Sequence, residues 1–461
     1  MTPDPNYSGL LTDLYELTMG AGYVETGYDA RATFELFVRS LPARRNYLVA
    51  AGLDQALDFL ENVQFSSEEI AYLRKQNVFA GIGGDFFEYL AKFRFSGDVW
   101  AMPEATVFFP GEPVLRVTAP IVEAQIVETY LLATINFQTM IASKAARMKA
   151  AAGGRTVIEF GARRAHGMES GVLAARAAMI GGCQGTSNVA AGRRFGIPTY
   201  GTQGHSWIMA HEDEGEAFRQ FLDFFPNDAV LLVDTYDVRA AVEKIIAIGR
   251  KPRGVRLDSG DLAADSVWVR QRLDQVGWED VIVFASGDLD EDRMSSLLAE
   301  GARIDCFGVG TALVTSSDSP TLDVVYKLVE TDTHGEVRSA AKFSATKVTY
   351  PGRKQVFRYS LPDMRFANDV IGLAEENCAG AESLLTPVMI RGKRRVPRTE
   401  LSAASKRCVD QIARLPESVR RMSGETVAYP VRHSEKLEAL LDEVRRRVER
   451  AERIQLPGRT K

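Results

Sequence analysis

The sequence predicts an α/β protein whose main part is an irregular, TIM-like α/β barrel of about seven strands. Seven short apolar runs, rich in β-branched residues, each end in a polar or glycine-rich signature, and helix-length segments separate them. This alternation is typical of a parallel sheet. Reactive residue types recur at the carboxyl ends of these runs, where α/β barrels carry their sites. The runs with their signatures are 156–164, 181–188, 197–206, 230–237, 254–261, 281–290 and 304–311.

The segments around the barrel predict the domain organisation. Residues 52–63 and 66–76 have helical patterns, the second with Ser66 as a cap and an acidic first turn, whereas 97–118 alternates short β-runs with Pro/Gly turns. β-Character returns after the barrel, and the chain ends in an amphipathic helix whose arginines form a solvated face. We expect an N-terminal α+β domain over 1–119, the barrel with the active site over 120–320, a return to the N-terminal β-rich unit over 321–365, and a C-terminal region with a helical tail over 366–461.

Composition excludes several classes of protein. The 461 residues are enough for two or three domains, and a net charge of −5 argues against a nucleic-acid partner. Four widely spaced cysteines give no disulfide framework and suit a reducing compartment. The N-terminus lacks the pattern of a signal peptide, and there is no apolar run of membrane-spanning length. We therefore expect a cytoplasmic enzyme.

Two late loops predict a phosphate site. Backbone N–H groups beside glycines, together with a hydroxyl, suit a phosphate dianion, and late barrel loops are its usual location. Each loop alone is a weak signal, because glycine after a strand is commonly only a turn. The residues concerned are Ser286, Gly287 and Asp288 in one loop and Gly308, Gly310 and Thr311 in the other.

Carboxylates follow two other strands, in DTYD (234–237) and DSGD (258–261). They could hold Mg²⁺, bind ribose hydroxyls or stabilise positive charge on a sugar ring. The alternative is that one member of each pair caps the following helix, which we expect for Asp237 and Asp261. Asp234 and Asp258, at the strand ends, are the stronger functional candidates.

Phe160, Arg163 and Arg164 predict recognition of an anionic heterocycle. An arginine fork binds a carboxylate or phosphate at two points, and the phenyl ring offers an aromatic plane. A surface salt bridge is the alternative for either arginine, and we expect it for one of the two.

His205, flanked by Gly204 and Ser206 in GTQGHSW, is the candidate for acid–base or nucleophilic chemistry. A histidine is more often structural than catalytic, but a strand-end position among glycines leaves room for a bulky partner. The other histidines are less favoured. His211 is expected to be structural, His166 is intermediate, and His334 and His433 are expected at the surface.

At these residues the chain resembles nicotinate phosphoribosyltransferases of the type II phosphoribosyltransferase fold. The resemblance runs from TDLYELTM through KQVFR and is strongest over NFQTMIASKAARM, EFGARRAHG, GTSNVAAG and GIPTYGTQGHSW. The order of GTSN, GTxxHS, LDSGD and FGVGT is specific, whereas no single element is. The resemblance implies that nicotinate and phosphoribosyl pyrophosphate, brought with Mg²⁺, give nicotinate mononucleotide and pyrophosphate, coupled to ATP hydrolysis in NAD salvage.

The resemblance also implies roles for single residues. ATP would phosphorylate His205 transiently, and Asp234 would orient its imidazole. Phe160 and Tyr15, the latter from a second subunit of a homodimer, would enclose the pyridine ring. The remaining roles are Arg163 at the ring, Arg256 at the phosphates, Asp258 near the ribose, and Gly287, Asp288, Gly308 and Gly310 at the 5′-phosphate.

Ser187 favours the acid over the amide. Related nicotinamide enzymes are similar but place an aspartate in the loop that reads GTSN here, and an aspartate would repel a carboxylate ligand. Gln203, Gly204 and Cys183 are possible departures from the family pattern, and the region after about residue 365 does not align. The alternatives are a nicotinamide phosphoribosyltransferase of the same fold and a non-catalytic metabolite-binding paralogue. A Schiff-base aldolase is disfavoured because no signature contains a lysine.

Overall fold

The computed structural model describes residues 7–344, 347–422 and 427–456. These residues form two compact units. Unit 1 takes the described residues of Met1–Thr139, Thr321–Glu400 and Asp410–Lys461, and unit 2 takes Met140–Pro320 and Leu401–Val409. Within the described ranges, no helix is both long and apolar enough to span a bilayer.

The helices, in chain order, are α1 Leu14–Glu25, α2 Leu53–Asn62, α3 Ser67–Arg74, α4 Gly84–Lys92, α5 Ile121–Ile126, α6 Glu128–Ala151, α7 Met168–Ile180, α8 Val189–Phe195, α9 His205–Met209, α10 Glu214–Phe224, α11 Val238–Ile248, α12 Leu262–Gln275, α13 Glu291–Ala299, α14 Thr311–Val314, α15 Leu401–Arg414, α16 Glu417–Arg420 and α17 Glu435–Glu452. Short 3₁₀ turns lie at Asn77–Phe79 and Ala162–Arg164.

The strands, in chain order, are β1 Arg31–Val38, β2 Leu48–Val49, β3 Asp98–Ala101, β4 Val107–Phe108, β5 Pro113–Pro120, β6 Thr156–Glu159, β7 Gly185–Thr186, β8 Val230–Leu232, β9 Gly254–Leu257, β10 Ile282–Ala285, β11 Cys306–Val309, β12 Val324–Thr333, β13 Glu336–Ser339, β14 Lys354–Ser360, β15 Phe366–Leu373, β16 Glu382–Ser383, β17 Thr386–Ile390, β18 Lys393–Arg394 and β19 Val431–His433.

Unit 1 contains a seven-stranded sheet in the order β13-β12-β1-β5-β3-β17-β18. β1 pairs antiparallel with β12, with Phe34 opposite Leu328, so the chain returns to this sheet after residue 320. A second sheet has the order β16-β14-β15-β19. Part of the β-character expected after the barrel lies in 340–352, where the described residues form only the isolated bridge Phe343–Val348, and residues 345–346 lie outside the described part of the chain. Ser66 caps α3, as the sequence predicts, and together with Glu69 it forms a capping box.

The sheet of unit 2 is parallel, with the order β7-β6-β11-β10-β9-β8. It contains six of the seven strands that the sequence predicts. Val157, Val283 and Phe307 are fully buried in it, as expected for strands covered on both faces. All its strands run in one direction, so their carboxyl ends meet at one edge.

The prediction of a seventh strand in 197–206 is wrong. The segment forms a single bridge, Thr186–Thr199, and the described residues contain no closed barrel of strands. Pro198 has no N–H to donate to a ladder, and glycines follow at 201 and 204. The segment still bonds to both edge strands, from Tyr200 N to Thr186 O at 2.9 Å and from Gln203 N to Val230 O at 3.0 Å.

Candidate active site

The strand-end loops of unit 2 bring an imidazole and a carboxylate together. His205 begins α9, and its Nε2 lies 3.8 Å from Oδ2 of Asp258, which follows β9. The imidazole is 43% exposed, so one side of the ring faces open space. Two residues that are 53 positions apart in sequence therefore share one site, as the strand-end pattern predicts.

The other imidazole nitrogen is held by a residue that the sequence did not single out. His205 Nδ1 lies 3.2 Å from Thr235 Oγ1. The expected contact of Asp234 with the imidazole is not formed. Asp234 Oδ2 instead accepts hydrogen bonds from Asp258 N at 3.1 Å and from Ser259 Oγ at 2.5 Å. Asp234 thus supports the loop that carries Asp258, and a catalytic role for it stays a prediction.

Arg256 and Asp258 form the most highly connected part of the site. The guanidinium donates to Asp258 Oδ1 at 2.6 Å, to Ser286 Oγ at 2.7 Å and to Thr202 Oγ1 at 2.9 Å. Ser286 Oγ in turn donates to Asp258 Oδ1 at 2.5 Å. Burial alone would raise the pKa of Asp258, but the hydrogen bond from Ser286 and the charge of Arg256 outweigh it and hold this pKa below its usual value. Asp258 is therefore ionised at neutral pH.

Phe160 supplies an aromatic surface beside this cluster. Its ring stacks on Phe284 with centroids 5.2 Å apart, and the Arg256 guanidinium carbon lies 5.8 Å from the Phe160 centroid. Gly308 is required here, because a Cβ at this position would lie 2.7 Å from the Phe284 ring. Phe160, Phe284 and Thr202 line part of a cavity of about 450 Å³ inside unit 2. The rest of its lining comes largely from the amino ends of the strands, as at Thr156 and Cys306, so the cavity extends away from the edge that carries Asp258.

The two glycine-rich loops are neighbours, as the sequence predicts, since they follow the adjacent parallel strands β10 and β11. Gly287 has φ of +95°, and a Cβ there would lie 2.0 Å from the carbonyl oxygen of Asp258, so only glycine fits. Gly310 precedes Thr311, the first residue of α14. These loops leave backbone groups open to a ligand at the same edge as Asp258.

Arg163 and Arg164 lie in the 3₁₀ turn after β6, and both are exposed. The expectation that one of them forms a surface salt bridge is wrong, because neither has an ion-pair partner among the described residues. Two free guanidinium groups at the edge of the site can receive an anion. Ser187, half-buried in the neighbouring loop, has no partner for its hydroxyl in the described ranges.

Glu159 joins the loop of Phe160 to the loop of Ser187. Its fully buried carboxylate accepts hydrogen bonds from Gly161 N and, at 2.5 Å, from Thr186 Oγ1, and its carbonyl accepts one from Ser187 N at 2.9 Å. Burial raises the pKa of Glu159. Glu159 was not among the predicted site residues, although an acidic residue that ends an apolar strand was a readable signal. Thr202 and Thr235 gave no such signal, because their roles depend on how the loops pack.

The structure separates the helix caps from the other carboxylates. Asp237 accepts from Ala240 N at 2.8 Å and Asp261 from Ala264 N at 3.1 Å, which confirms both as caps. Asp234 Oδ1 is buried and has no hydrogen-bond donor among the described residues.

The remaining histidines lie apart from these contacts. His211 is structural, as expected, since Nδ1 lies 2.7 Å from Trp207 O and Nε2 lies 3.2 Å from Gln220 Oε1. His166 and His334 are exposed. His433 also lies at the surface, with its side chain 29% exposed, and its ring stacks on Tyr350 with centroids 3.8 Å apart.

Tyr15 belongs to unit 1, on α1, with its side chain 46% exposed. Burial, and then the charges of Glu128 and Glu16, raise its pKa well above the usual value, so it remains a neutral phenol. Its expected role at the pyridine ring stays a prediction.

Three profiles of one family match consecutive parts of the chain. Residues 10–136 match the nicotinate phosphoribosyltransferase (NAPRTase) N-terminal domain, 156–369 the nicotinate phosphoribosyltransferase (NAPRTase) family, and 377–441 the nicotinate phosphoribosyltransferase C-terminal domain. The last match covers much of the region that sequence reasoning left unassigned.

Known proteins agree with these profiles. A nicotinate phosphoribosyltransferase of Mycobacterium tuberculosis is 45% identical over 435 residues, which are 93% of this chain and 92% of the relative. One of Bacillus subtilis is 45% identical over 359 residues, 76% of this chain and 72% of the relative. The crystal structure of human nicotinic acid phosphoribosyltransferase aligns with a TM-score of 0.82 and 27% identity, covering 94% of this chain and 99% of that one. The chain belongs to the nicotinate phosphoribosyltransferase family.

Proposed function

We propose that this protein transfers the phosphoribosyl group of phosphoribosyl pyrophosphate to nicotinate, giving nicotinate mononucleotide and pyrophosphate in NAD salvage. The observation that carries the proposal is the cluster of Arg256, Asp258 and Ser286, with His205 and Phe160 beside it, at the sheet edge where the glycine-rich loops lie. Membership of the family supports the same reaction.

The ring of nicotinate would lie against Phe160, with its carboxylate facing the free guanidinium of Arg163 and the hydroxyl of Ser187. Arg163 has no competing carboxylate among the described residues, and Ser187 can donate a hydrogen bond to an acid. An aspartate in place of Ser187 would repel the acid, so these groups favour nicotinate over nicotinamide. Tyr15 of a second subunit would cover the other face of the ring in a homodimer. Leu11 and Leu14, exposed next to Tyr15, support an interface there.

Asp258 would stabilise the ribose in the transition state. Cleavage of the bond between C1′ and pyrophosphate leaves positive charge on the sugar ring, and a nearby ionised carboxylate lowers the energy of that charge. Arg256 and Ser286 hold Asp258 in its charged form and fix its position. Arg256 would also face the pyrophosphate oxygens. The 5′-phosphate would bind the two glycine-rich loops, called the anion loops below, through Gly287 and Asp288 in one and Gly308, Gly310 and Thr311 in the other. Ser286, also expected there, already donates its hydroxyl to Asp258 and its N–H to Leu257 O.

His205 would couple the reaction to ATP. With Nδ1–H donating to Thr235 Oγ1, Nε2 would carry the lone pair that attacks the γ-phosphorus of ATP. A bond forms between Nε2 and phosphorus, the bond to the β,γ-bridging oxygen breaks, and ADP leaves; water later cleaves the phosphohistidine to phosphate. Mg²⁺ would enter with phosphoribosyl pyrophosphate and neutralise its charge. The free, buried Oδ1 of Asp234 fits a hydrogen bond from a metal-bound water.

Two structural proposals accompany this function. The segment 198–203, which bonds to both edge strands, would complete an irregular barrel in place of a seventh strand. The enzyme would act in the cytoplasm, which agrees with the free state of Cys183, Cys306, Cys378 and Cys408.

The test is a product assay with labelled nicotinic acid and phosphoribosyl pyrophosphate, with and without ATP. We expect labelled nicotinate mononucleotide in both reactions and more of it with ATP. Labelled nicotinamide in parallel provides the comparison. A higher kcat/KM for nicotinamide would overturn the assignment of the acid, and no product from either substrate would support the non-catalytic paralogue.

A further inference from the structure

A buried pair of cations lies on α6, in the motif NFQTMIASKAARM, to which the proposed function gives no role. Lys144 and Arg147 are three residues apart on one face of the helix, and their side chains are 3% and 5% exposed. Both belong to unit 2. Charged side chains this deeply buried need partners, because an unpaired charge in the interior is strongly destabilising.

Two carboxylates are these partners. Lys144 Nζ lies 2.7 Å from Glu291 Oε2 and 2.9 Å from Asp318 Oδ1, and Arg147 Nε lies 2.9 Å from Glu291 Oε1. Burial alone would raise the pKa of Glu291, but the charge and hydrogen bond of Lys144, followed by Arg147, lower it. Glu291 is therefore ionised at neutral pH, and Lys144 forms ion pairs with both carboxylates.

Each of the two carboxylates follows one of the two anion loops in the chain. Glu291 is the first residue of α13, three residues after Asp288. Asp318 lies four residues after the end of α14, the short helix that begins at Thr311. Lys144 thus connects the segments that follow the two loops, through one ammonium group.

We propose that Lys144 is a positioning residue that fixes the spacing between the two anion loops and thereby the binding of the phosphorylated end of the sugar substrate. This inference rests on the proposed function. A need for stability alone would be met as well by apolar side chains in place of the whole cluster, since buried ion pairs are often no more stabilising than hydrophobic residues of similar volume. A cation with two carboxylate partners instead sets a distance between two separate loops.

The test compares three variants by steady-state kinetics. Lys144→Met should raise the KM for phosphoribosyl pyrophosphate roughly 10- to 100-fold, because an error of about 1 Å in a binding group has effects of this size. The KM for nicotinate should stay within about threefold, since its contacts lie in other loops. Lys144→Arg should recover part of the loss. Asp318→Asn, at a side chain that is 23% exposed, should change the same KM in the same direction and carries the test if Lys144→Met does not fold.

Lys354→Met is the matched control. Lys354 is also a buried lysine, with Nζ 2.8 Å from Glu35 Oε2, but this pair lies in unit 1. The control should lower Tm as Lys144→Met does and leave the ratio of the two KM values unchanged. An equal change in that ratio in both variants, or no change in either, would overturn the inference.

Binding of ribose 5-phosphate, measured by titration calorimetry, separates this inference from the proposed function. The wild type should bind it, and Lys144→Met should bind it more weakly by the same factor as its KM changes. If both proteins bind it equally, the positioning role is rejected while the proposed function stands. If the wild type neither binds it nor turns over phosphoribosyl pyrophosphate, the proposed function fails and this inference fails with it.

Discussion

The two sides of the candidate site differ in how their charges are paired. On the side of β9 and β10, Arg256, Asp258 and Ser286 form hydrogen bonds with one another. All three nitrogens of the Arg256 guanidinium donate to protein side chains. On the side of β6 and β7, Arg163 and Arg164 are exposed and have no ion-pair partner among the described residues. The first side is organised before a ligand arrives, whereas the second is open to receive an anion. Substitutions on the first side should therefore change kcat or its pH dependence, whereas those on the second side should change the KM for the anionic ligand.

Asp258→Asn should have the largest effect. It removes the charge that stabilises the sugar cation and leaves Arg256 without its carboxylate, so we expect kcat to fall by about 10²- to 10³-fold. The measurement is kcat at saturating nicotinate and phosphoribosyl pyrophosphate. Asp261→Asn is the matched control, because asparagine also caps a helix and kcat should stay near the wild-type value. Comparable rates in the two variants would remove Asp258 from the proposed chemistry.

His205→Ala should abolish stimulation by ATP and keep the ATP-independent rate. The wild type, incubated with radiolabelled ATP, should carry an acid-labile, base-stable phosphate that the variant lacks. His166→Ala, at an exposed histidine, should keep both the label and the stimulation. Normal stimulation of His205→Ala by ATP would reject the phosphohistidine.

Arg163→Ala should raise the KM for nicotinate and leave stability unchanged. A charge-assisted hydrogen bond contributes about 1.5–3 kcal/mol, which corresponds to roughly a 10- to 100-fold increase in KM. Tm should not change, because this guanidinium has no partner in the described part of the chain to lose. Arg193→Ala, at another exposed arginine in the last turn of α8, is the control and should change neither quantity. A fall in Tm for Arg163→Ala would mean that this side is organised in advance as well.

Ser286→Ala should have the smallest effect, a change in pH dependence. It removes the hydrogen bond that opposes the effect of burial, so the pKa of Asp258 rises toward its usual value. The acid limb of kcat/KM should then move to higher pH. A carboxylate with a lowered pKa stabilises the fold above its unfolded pKa and loses this contribution as pH falls through the folded value, so Tm should also begin to fall at higher pH. Ser259→Ala is the control. It removes a hydroxyl that donates to Asp234, and it should leave the acid limb of kcat/KM unchanged.

Local chemistry explains which parts of the site were predictable from the sequence. The caps at Asp237 and Asp261 were predicted because an N-cap needs only its own next three residues. The adjacency of the two anion loops was also readable, since parallel strands align their carboxyl ends. Contacts between loops were not readable. Thr235 lies 30 residues from His205, and nothing in the sequence indicates that its hydroxyl, rather than the carboxylate of Asp234, meets the imidazole.

For the fold, too, local features were predictable from the sequence and contacts between distant segments were not. Six strands of the unit 2 sheet follow from apolar runs between helices, whereas the segment around Pro198 has a strand-like composition but cannot donate at the proline. Its bonds to β7 and β8 depend on both edges being present. The prediction of a surface salt bridge for Arg163 or Arg164 was wrong for a related reason. A pairing on the surface depends on which side chains the folded chain brings near, and local sequence does not contain that information.

The carboxylate of Glu159 limits how this site can be re-engineered. It accepts hydrogen bonds from Gly161 N and from the hydroxyl of Thr186, so it ties the loop that carries Phe160 to the loop that carries Ser187. A protein engineer who replaced Ser187 by aspartate to accept an amide would place a second acidic group one residue from a contact of this buried acid. Selections for altered substrate preference should therefore recover paired replacements, one at position 187 and one that neutralises or shortens position 159.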